Sequence, residues 1–226
     1  MTQDNTPDYI KLMQKMTDVV SHEIRNPLNN ILLSTAQFKL DTPPDKEDTA
    51  FYIDIIERNC DRIRMVLTDI MSVIHHQGLR PDVFDITELV KEVLEEKSER
   101  FELKKVQCVA SLNEVVVARF DRALMKPVLD HLLENALDAM IDGGTIHIVL
   151  KEEEREIRIQ VRDSGTGIDS GVLPHIFAPF FTTRERHKGL GLALVRNVME
   201  AHSGKIEVAT DTGGTCFTLC LPRQAE

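Results

Sequence analysis

The chain has 226 residues, 42% hydrophobic and 28% charged, a composition that suits a folded protein of one or two domains. Its net charge of -10 argues against general nucleic-acid binding, which depends on Lys and Arg to neutralise phosphates. No apolar run reaches the roughly 18 residues of a membrane span. The N-terminal "MTQDNTPDYI" is polar and acidic, unlike a signal peptide, so no membrane contact by this chain is expected.

Residues 9–40 read as one long helix, with Met13, Met16, Val20, Ile24, Leu28 and Ile31 recurring at steps of three and four. "DTPPDKE" (41–47) breaks it. Residues 48–77 read as a second helix, with a heptad seam of Ile56, Cys60, Ile63, Leu67, Ile70 and Ile74. At 1.5 Å per residue each helix is about 45 Å long. Such a hairpin leaves much apolar surface wet, and pairing two of them in a four-helix bundle is the simplest remedy. A homodimer is therefore expected.

"GLRPDVFD" (78–85) reads as a linker. Beyond it the spacing predicts a helix from Glu88 to about Lys104, then β-rich runs at "VQCVASL" and "VVVARF". A helix over about 121–141 follows, with Asp121 as its N-cap. "TIHIVLK" and "EIRIQVRD" alternate like a strand hairpin, and residues 163–188 are irregular and glycine-rich. A helix over about 189–202 precedes two final strands, "KIEVAT" and "TCFTLCL". The expected fold class is an all-α helical hairpin (dimeric four-helix bundle) followed by an α+β sandwich with helices on one face of a mixed sheet. The domains divide as 1–79 and 80–226. Cys60, Cys108, Cys216 and Cys220 show no CxxC pairing and are expected to be four buried, reduced thiols of a cytosolic protein.

Three glycine signals occur in order in the second domain: "DSGTGI" (163–168) after a strand, "KGLGLAL" (188–194) opening a helix, and "GGTCF" (213–217) turning between strands. Each alone is weak; together with "ENALDA" upstream they are specific. Asp163, at a strand end, suits the exocyclic amine of adenine. Gly165 and Gly167 would let the backbone approach a flat base. Gly189 and Gly191 sit at a helix N-terminus, where free N–H groups suit phosphate. Asn135 offers a neutral oxygen to Mg²⁺, a metal that takes few protein ligands. No Walker A loop is present.

From residue 9 to 222 the chain resembles the sensor histidine kinases of two-component signalling. "SHEIRNPLNN" resembles the family's H box, "HLLENALDAM" its N box, and "DSGTGI" its first glycine box. "IFAPFFTT" resembles the phenylalanine box and "HKGLGLALV" the second glycine box. "NALDAM" and "PFFTT" are similar to the nitrogen-regulation-like branch. The resemblance implies a dimerisation and phosphoacceptor hairpin, then an ATP-binding domain of the gyrase and heat-shock-chaperone type. It implies His22 as phosphoacceptor, with Glu23 handling the imidazole proton and Asn26 orienting a water for dephosphorylation of the partner. It assigns ATP and Mg²⁺ to Asn135, Asp163, Gly165, Gly167, Lys188, Gly189, Gly191 and Thr215, with Asn135 toward the metal. The partner it implies is a response-regulator receiver domain, and the location cytoplasmic. No sensor segment fits before the first helix, so a catalytic fragment or a signal delivered by a partner is expected.

Three positions depart from the family pattern. His131 stands where the N box commonly has its first Asn, His187 and Lys188 replace the usual Gly and Ser or Thr, and Asp138 replaces a common Lys or Arg. His131 keeps a second reading open, a nucleotide-gated response-regulator-binding module with weak or no kinase activity. Residues 169–188 are expected to form a mobile lid over ATP, with Phe177, Phe180 and Phe181 docking it against the acceptor helices or packing in the core. Pro27, unable to donate to the carbonyl of Glu23, is expected to weaken the turn at His22 and act as a hinge.

Overall fold

A computed structural model describes residues 24–39, 48–60, 63, 79–112, 114–184 and 189–223. The chain divides into two compact units, Met1–Ile74 and His75–Glu226.

In the first unit, helix α1 covers 24–39 and α2 covers 48–60, with residue 63 also helical. Two contacts between them set their direction. Asn30 Nδ2 donates to Asn59 Oδ1 at 3.1 Å, and the rings of Phe38 and Tyr52 meet edge-on at 6.2 Å. As the number rises on one helix it falls on the other, so the pair is antiparallel. Asn59 also donates to the carbonyl of Ile55 at 2.7 Å, which orients its amide toward Asn30. α1 runs through a buried Pro27 without a break among the described residues. The outer faces stay apolar and open: Leu33 is 69% and Phe51 61% exposed. The expected helical stretches 9–23 and 64–77 lie outside the described residues.

The second unit is an α+β sandwich. Strands β1 (Asp82–Asp85) and β3 (Val117–Phe120) form an antiparallel ribbon. β2 (Val106–Ser111), β4 (Gly144–Glu152), β5 (Glu156–Asp163), β6 (Lys205–Asp211) and β7 (Gly214–Pro222) form one sheet in the order β2-β4-β5-β7-β6. Only β2 and β4 pair in parallel, so the sheet is mixed as expected. Alternation fixes its faces: Ile157, Ile159 and Val161 of β5 are buried, while Arg158 and Gln160 between them are only half-buried. Helices α3 (Ile86–Glu96), α4 (Ser98–Leu103), α5 (Arg122–Ala139) and α6 (Gly191–Ala201) bring Leu89, Val93, Phe101, Leu132, Leu137, Val195 and Val198 to that core.

Four expectations change. Half of the 78–85 "linker" is strand β1, because its partner β3 lies more than thirty residues on and local composition does not reveal it. Asp85 then caps α3, accepting from Thr87 N at 2.8 Å, so the helix starts at Ile86 rather than Glu88. The expected helix to Lys104 divides at Lys97, where the backbone leaves the helix and α4 restarts to bury Phe101. Of the four thiols only Cys220 is buried; Cys108 and Cys216 are half-buried, and Cys60 is exposed on a helix face left open in the single chain. Burial pushes the Cys220 and Cys108 thiols up, away from the reactive thiolate.

The start of the lid is packed. Asp169 accepts from Gly171 N at 2.8 Å, and a 3₁₀ turn follows at Leu173–His175. Ile176 and Phe180 are buried, and Phe177 packs against the core of its own unit. Residues 185–188 lie outside the described residues.

Candidate nucleotide site

Asp163 ends β5, the central strand of the sheet, and is only 4% exposed. Its Oδ1 accepts from the backbone N–H of Gly165 at 2.8 Å and of Thr215 at 3.2 Å. Burial raises the Asp163 pKa, and those two backbone N–H groups work against the rise. One carboxylate oxygen therefore ties the first glycine box to the β6–β7 turn.

The turn is held a second way. Thr210 Oγ1 accepts from Ile168 N at 2.9 Å, donates to the Gly214 carbonyl at 3.2 Å, and lies 3.1 Å from Thr215 Oγ1. Thr210 is not among the expected site residues. Its only sequence signal is that it pairs with Thr215 across the Gly213-Gly214 turn.

Gly165 and Gly167 also meet close intrachain neighbours. A Cβ on Gly165 would stand 2.7 Å from the Cβ of Ala139, and one on Gly167 would stand 2.0 Å from the carbonyl oxygen of Asp211. Gly167 also has φ +72°. These bare Cα atoms make room for the chain's own backbone and side chains, and so bring the box against α5 and β6.

The second glycine box is locked to the phenylalanine box. Phe180 N donates to the Gly189 carbonyl at 2.8 Å, and a Cβ on Gly189 would stand 2.3 Å from the Phe181 carbonyl oxygen. Buried Phe180 adopts φ +63°, a conformation few non-glycine residues hold without surrounding support. α6 then begins at Gly191 with no side-chain cap. Its first N–H groups are unsatisfied from within the helix, the arrangement that attracts an anion.

Asn135 is half-buried on α5, one turn from His131 and one from Ala139. His131 meets Gly191 and Ala139 meets Gly165, so Asn135 lies between two contacts that α5 makes with the glycine boxes. No group of three or more His, Cys, Asp or Glu able to hold a metal occurs among the described residues. Asn135 offers one neutral amide oxygen, a ligand type that Mg²⁺ accepts.

An ion-pair ladder flanks that face of α5. Lys97 Nζ lies 2.8 Å from Glu134 and 3.1 Å from Asp130, Arg100 lies 2.5 Å from Glu134, and Lys104 lies 3.1 Å from Asp138. Asp138, the departure after the N box, also meets Arg184 of the lid at 3.7 Å.

Asp163, Gly165, Thr215 and Asn135 are thus gathered around the α5, β5 and β6–β7 elements, with Gly167, Gly189 and Gly191 holding the loops. His22, Glu23 and Lys188 lie outside the described residues. Asn26 is exposed on α1 in the other unit.

A sheet covered on one face, with a glycine-built loop system between its central strands and two helices, defines a nucleotide-binding ATPase fold. Comparison with known proteins makes this specific. Residues 120–225 match the family of histidine kinase-, DNA gyrase B-, and HSP90-like ATPases, and residues 12–74 match the His Kinase A (phospho-acceptor) domain. The chain is 32% identical over 205 residues to the sensor histidine kinase ZraS of Escherichia coli, covering 90% of this chain and 44% of that protein. It therefore spans less than half of that relative's length. The solved catalytic domain of histidine kinase ThkA is 31% identical with a TM-score of 0.60, covering 64% of this chain and 96% of that one. ThkA solved in complex with the response regulator protein TrrA is 29% identical with a TM-score of 0.66, covering 96% of this chain and 64% of that one. The chain belongs to the sensor histidine kinases.

Proposed function

We propose that the chain is the kinase core of a two-component sensor. It binds ATP with Mg²⁺, phosphorylates His22, and passes the phosphoryl group to an Asp of a response-regulator receiver domain. One observation carries this reading. A phospho-acceptor match containing His22 and an ATPase domain with a built Asp163–Gly165–Thr215 cluster occur in the same chain. The ThkA–TrrA complex supports the partner class.

In this reading Asp163 meets the adenine amine with the oxygen that Gly165 and Thr215 leave available. The uncapped start of α6 meets phosphate, with Lys188 adding charge, and Asn135 is the protein's oxygen toward Mg²⁺. Glu23 takes the proton from one imidazole nitrogen of His22 while the other attacks the γ-phosphorus. The bond from that phosphorus to the β–γ bridging oxygen breaks and ADP leaves. Asn26, one turn beyond His22, orients water when the same protein dephosphorylates its partner.

The open apolar faces of α1 and α2 support a homodimer through the hairpin. We place the domain boundary after residue 79; among the described residues of that stretch, Arg80 N is the first backbone group bonded into the ATPase domain, to Asp121 Oδ2 at 2.9 Å. A cytoplasmic location fits, and no described helix is long and apolar enough to cross a membrane. Assignment to the nitrogen-regulation-like branch rests on "NALDAM" and "PFFTT" alone.

His131 in place of the first N-box Asn favours the second reading, a nucleotide-gated module that docks a response regulator without phosphorylating it. Incubation with γ-labelled ATP and Mg²⁺ separates the two. A kinase gives acid-labile, base-stable label that disappears in His22→Ala. Nucleotide binding without label in the wild type supports the module.

A further inference from the structure

The α5 face that carries positions 131, 135 and 139 touches both glycine boxes, and its two contacts differ in size. At one end small Ala139 lets the backbone of the first box come close. At the other an imidazole fills the gap. A Cβ on Gly191 would stand 2.8 Å from Nδ1, 3.1 Å from Cγ and 3.4 Å from Cε1 of His131. The ring is seated on the Cα of the first residue of α6, beside the turn whose N–H groups have no side-chain cap.

We infer that His131 is a positioning residue for the phosphate end of the nucleotide: its imidazole sets the distance between the first turn of α6 and Asn135. The inference rests on the ATP-site reading above. Gly191 is then glycine because the His131 ring occupies the space a side chain would need. The base end is separate. It is built by Asp163, Gly165 and Thr215, whose hydrogen bonds do not include His131. Shrinking the ring loosens one end of the site and leaves the other in place.

Binding of a non-hydrolysable ATP analogue and of adenosine to the full chain tests this. Truncation or overpacking at such a contact is expected to change affinity about tenfold. His131→Ala should weaken the ATP analogue by that factor and leave adenosine within about twofold. Gly191→Ala should also weaken the analogue, and Gly191→Ala/His131→Ala should bind it more tightly than Gly191→Ala alone. Equal losses for the analogue and adenosine in His131→Ala, or no loss for either, would overturn the inference, as would a double variant no tighter than Gly191→Ala. If Gly191→Ala does not fold, the split between analogue and adenosine in His131→Ala decides alone. Failure of the wild type to bind either ligand would instead overturn the ATP-site reading itself.

Discussion

His202 and Asp121, 81 residues apart, share a buried hydrogen bond in which the Asp121 backbone N–H donates to His202 Nε2 at 3.0 Å. The other ring nitrogen, Nδ1, lies 2.8 Å from the Val198 carbonyl, so the tautomer with its proton on Nδ1 satisfies both contacts. The Asp121 carboxylate meanwhile caps α5 through Ala123 N and Leu124 N, and accepts from Arg80 N. One junction therefore ties together the start of the N-box helix, the end of α6 and the chain's entry into the domain.

His202→Phe keeps the ring and its edge contact with Phe120 but removes the acceptor. The Asp121 N–H is then buried without a partner, and the expected loss is about 1–3 kcal/mol of unfolding free energy. Urea denaturation of the full chain measures it, and unchanged stability would mean that the bond contributes nothing.

Lys97 should matter at alkaline pH. Burial works against its charged form, but Glu134 first and Asp130 second more than offset that, so its pKa is raised. A lysine raised on folding gives its full stabilisation below the ordinary value near 10.4 and loses it as pH rises through the folded value. Lys97→Met should leave two half-buried carboxylates without their ammonium and cost roughly 2–4 kcal/mol at neutral pH. The gap between variant and wild type should narrow above about pH 10.4 in pH-dependent unfolding.

Asp163 gives the same sign in an acidic window. Its raised pKa means that the folded state keeps a proton which the unfolded chain has already lost. Wild-type stability should therefore fall as pH rises from about 3.9 to the raised value, then level off. Asp163→Asn removes this term, so its stability relative to wild type should increase with pH across that window.

Nucleotide affinity should run the other way, because only the ionised carboxylate accepts freely from an amine. It should fall as pH drops through the raised value. Asp163→Asn would turn an amide N–H toward the adenine amine, and the expected loss is about ten- to a hundredfold in ATP affinity at neutral pH. Calorimetric titration at several pH values checks both.

Gly167→Ala should be among the most damaging single-methyl changes in the domain. The added Cβ meets the Asp211 carbonyl oxygen at 2.0 Å and needs a left-handed backbone at φ +72°. Strain and overpacking together are expected to cost about 2–4 kcal/mol. A thermal midpoint equal to wild type would show that the loop relaxes instead.

Much of the second domain is legible in its residues alone. The period-two alternation of "EIRIQVRD" and the cap at Asp121 are local signals, and both hold. The motif order around Asp163 and Gly191 likewise points to the right family. "DVFD" reads as linker because four residues with acidic ends carry no strand signal until Val117–Phe120 pairs with them. The helix break at Lys97 has no local signal; the contacts of that residue, with Glu134 and Asp130 of α5, are long-range.

The amino-acid sequence by itself determined the helical and strand periods, the cap, the order of the boxes and the family. These depend on residues a few positions apart, where backbone geometry and side-chain type act directly. Only the tertiary structure decided what each glycine makes room for, which threonine braces the turn, and where His131 rests. Those are steric facts between chain segments far apart in sequence: Gly167 against Asp211, Thr210 against Ile168, and Gly191 against His131. A missing Cβ shows that space is needed at that point. What fills the space is settled only when the segments pack.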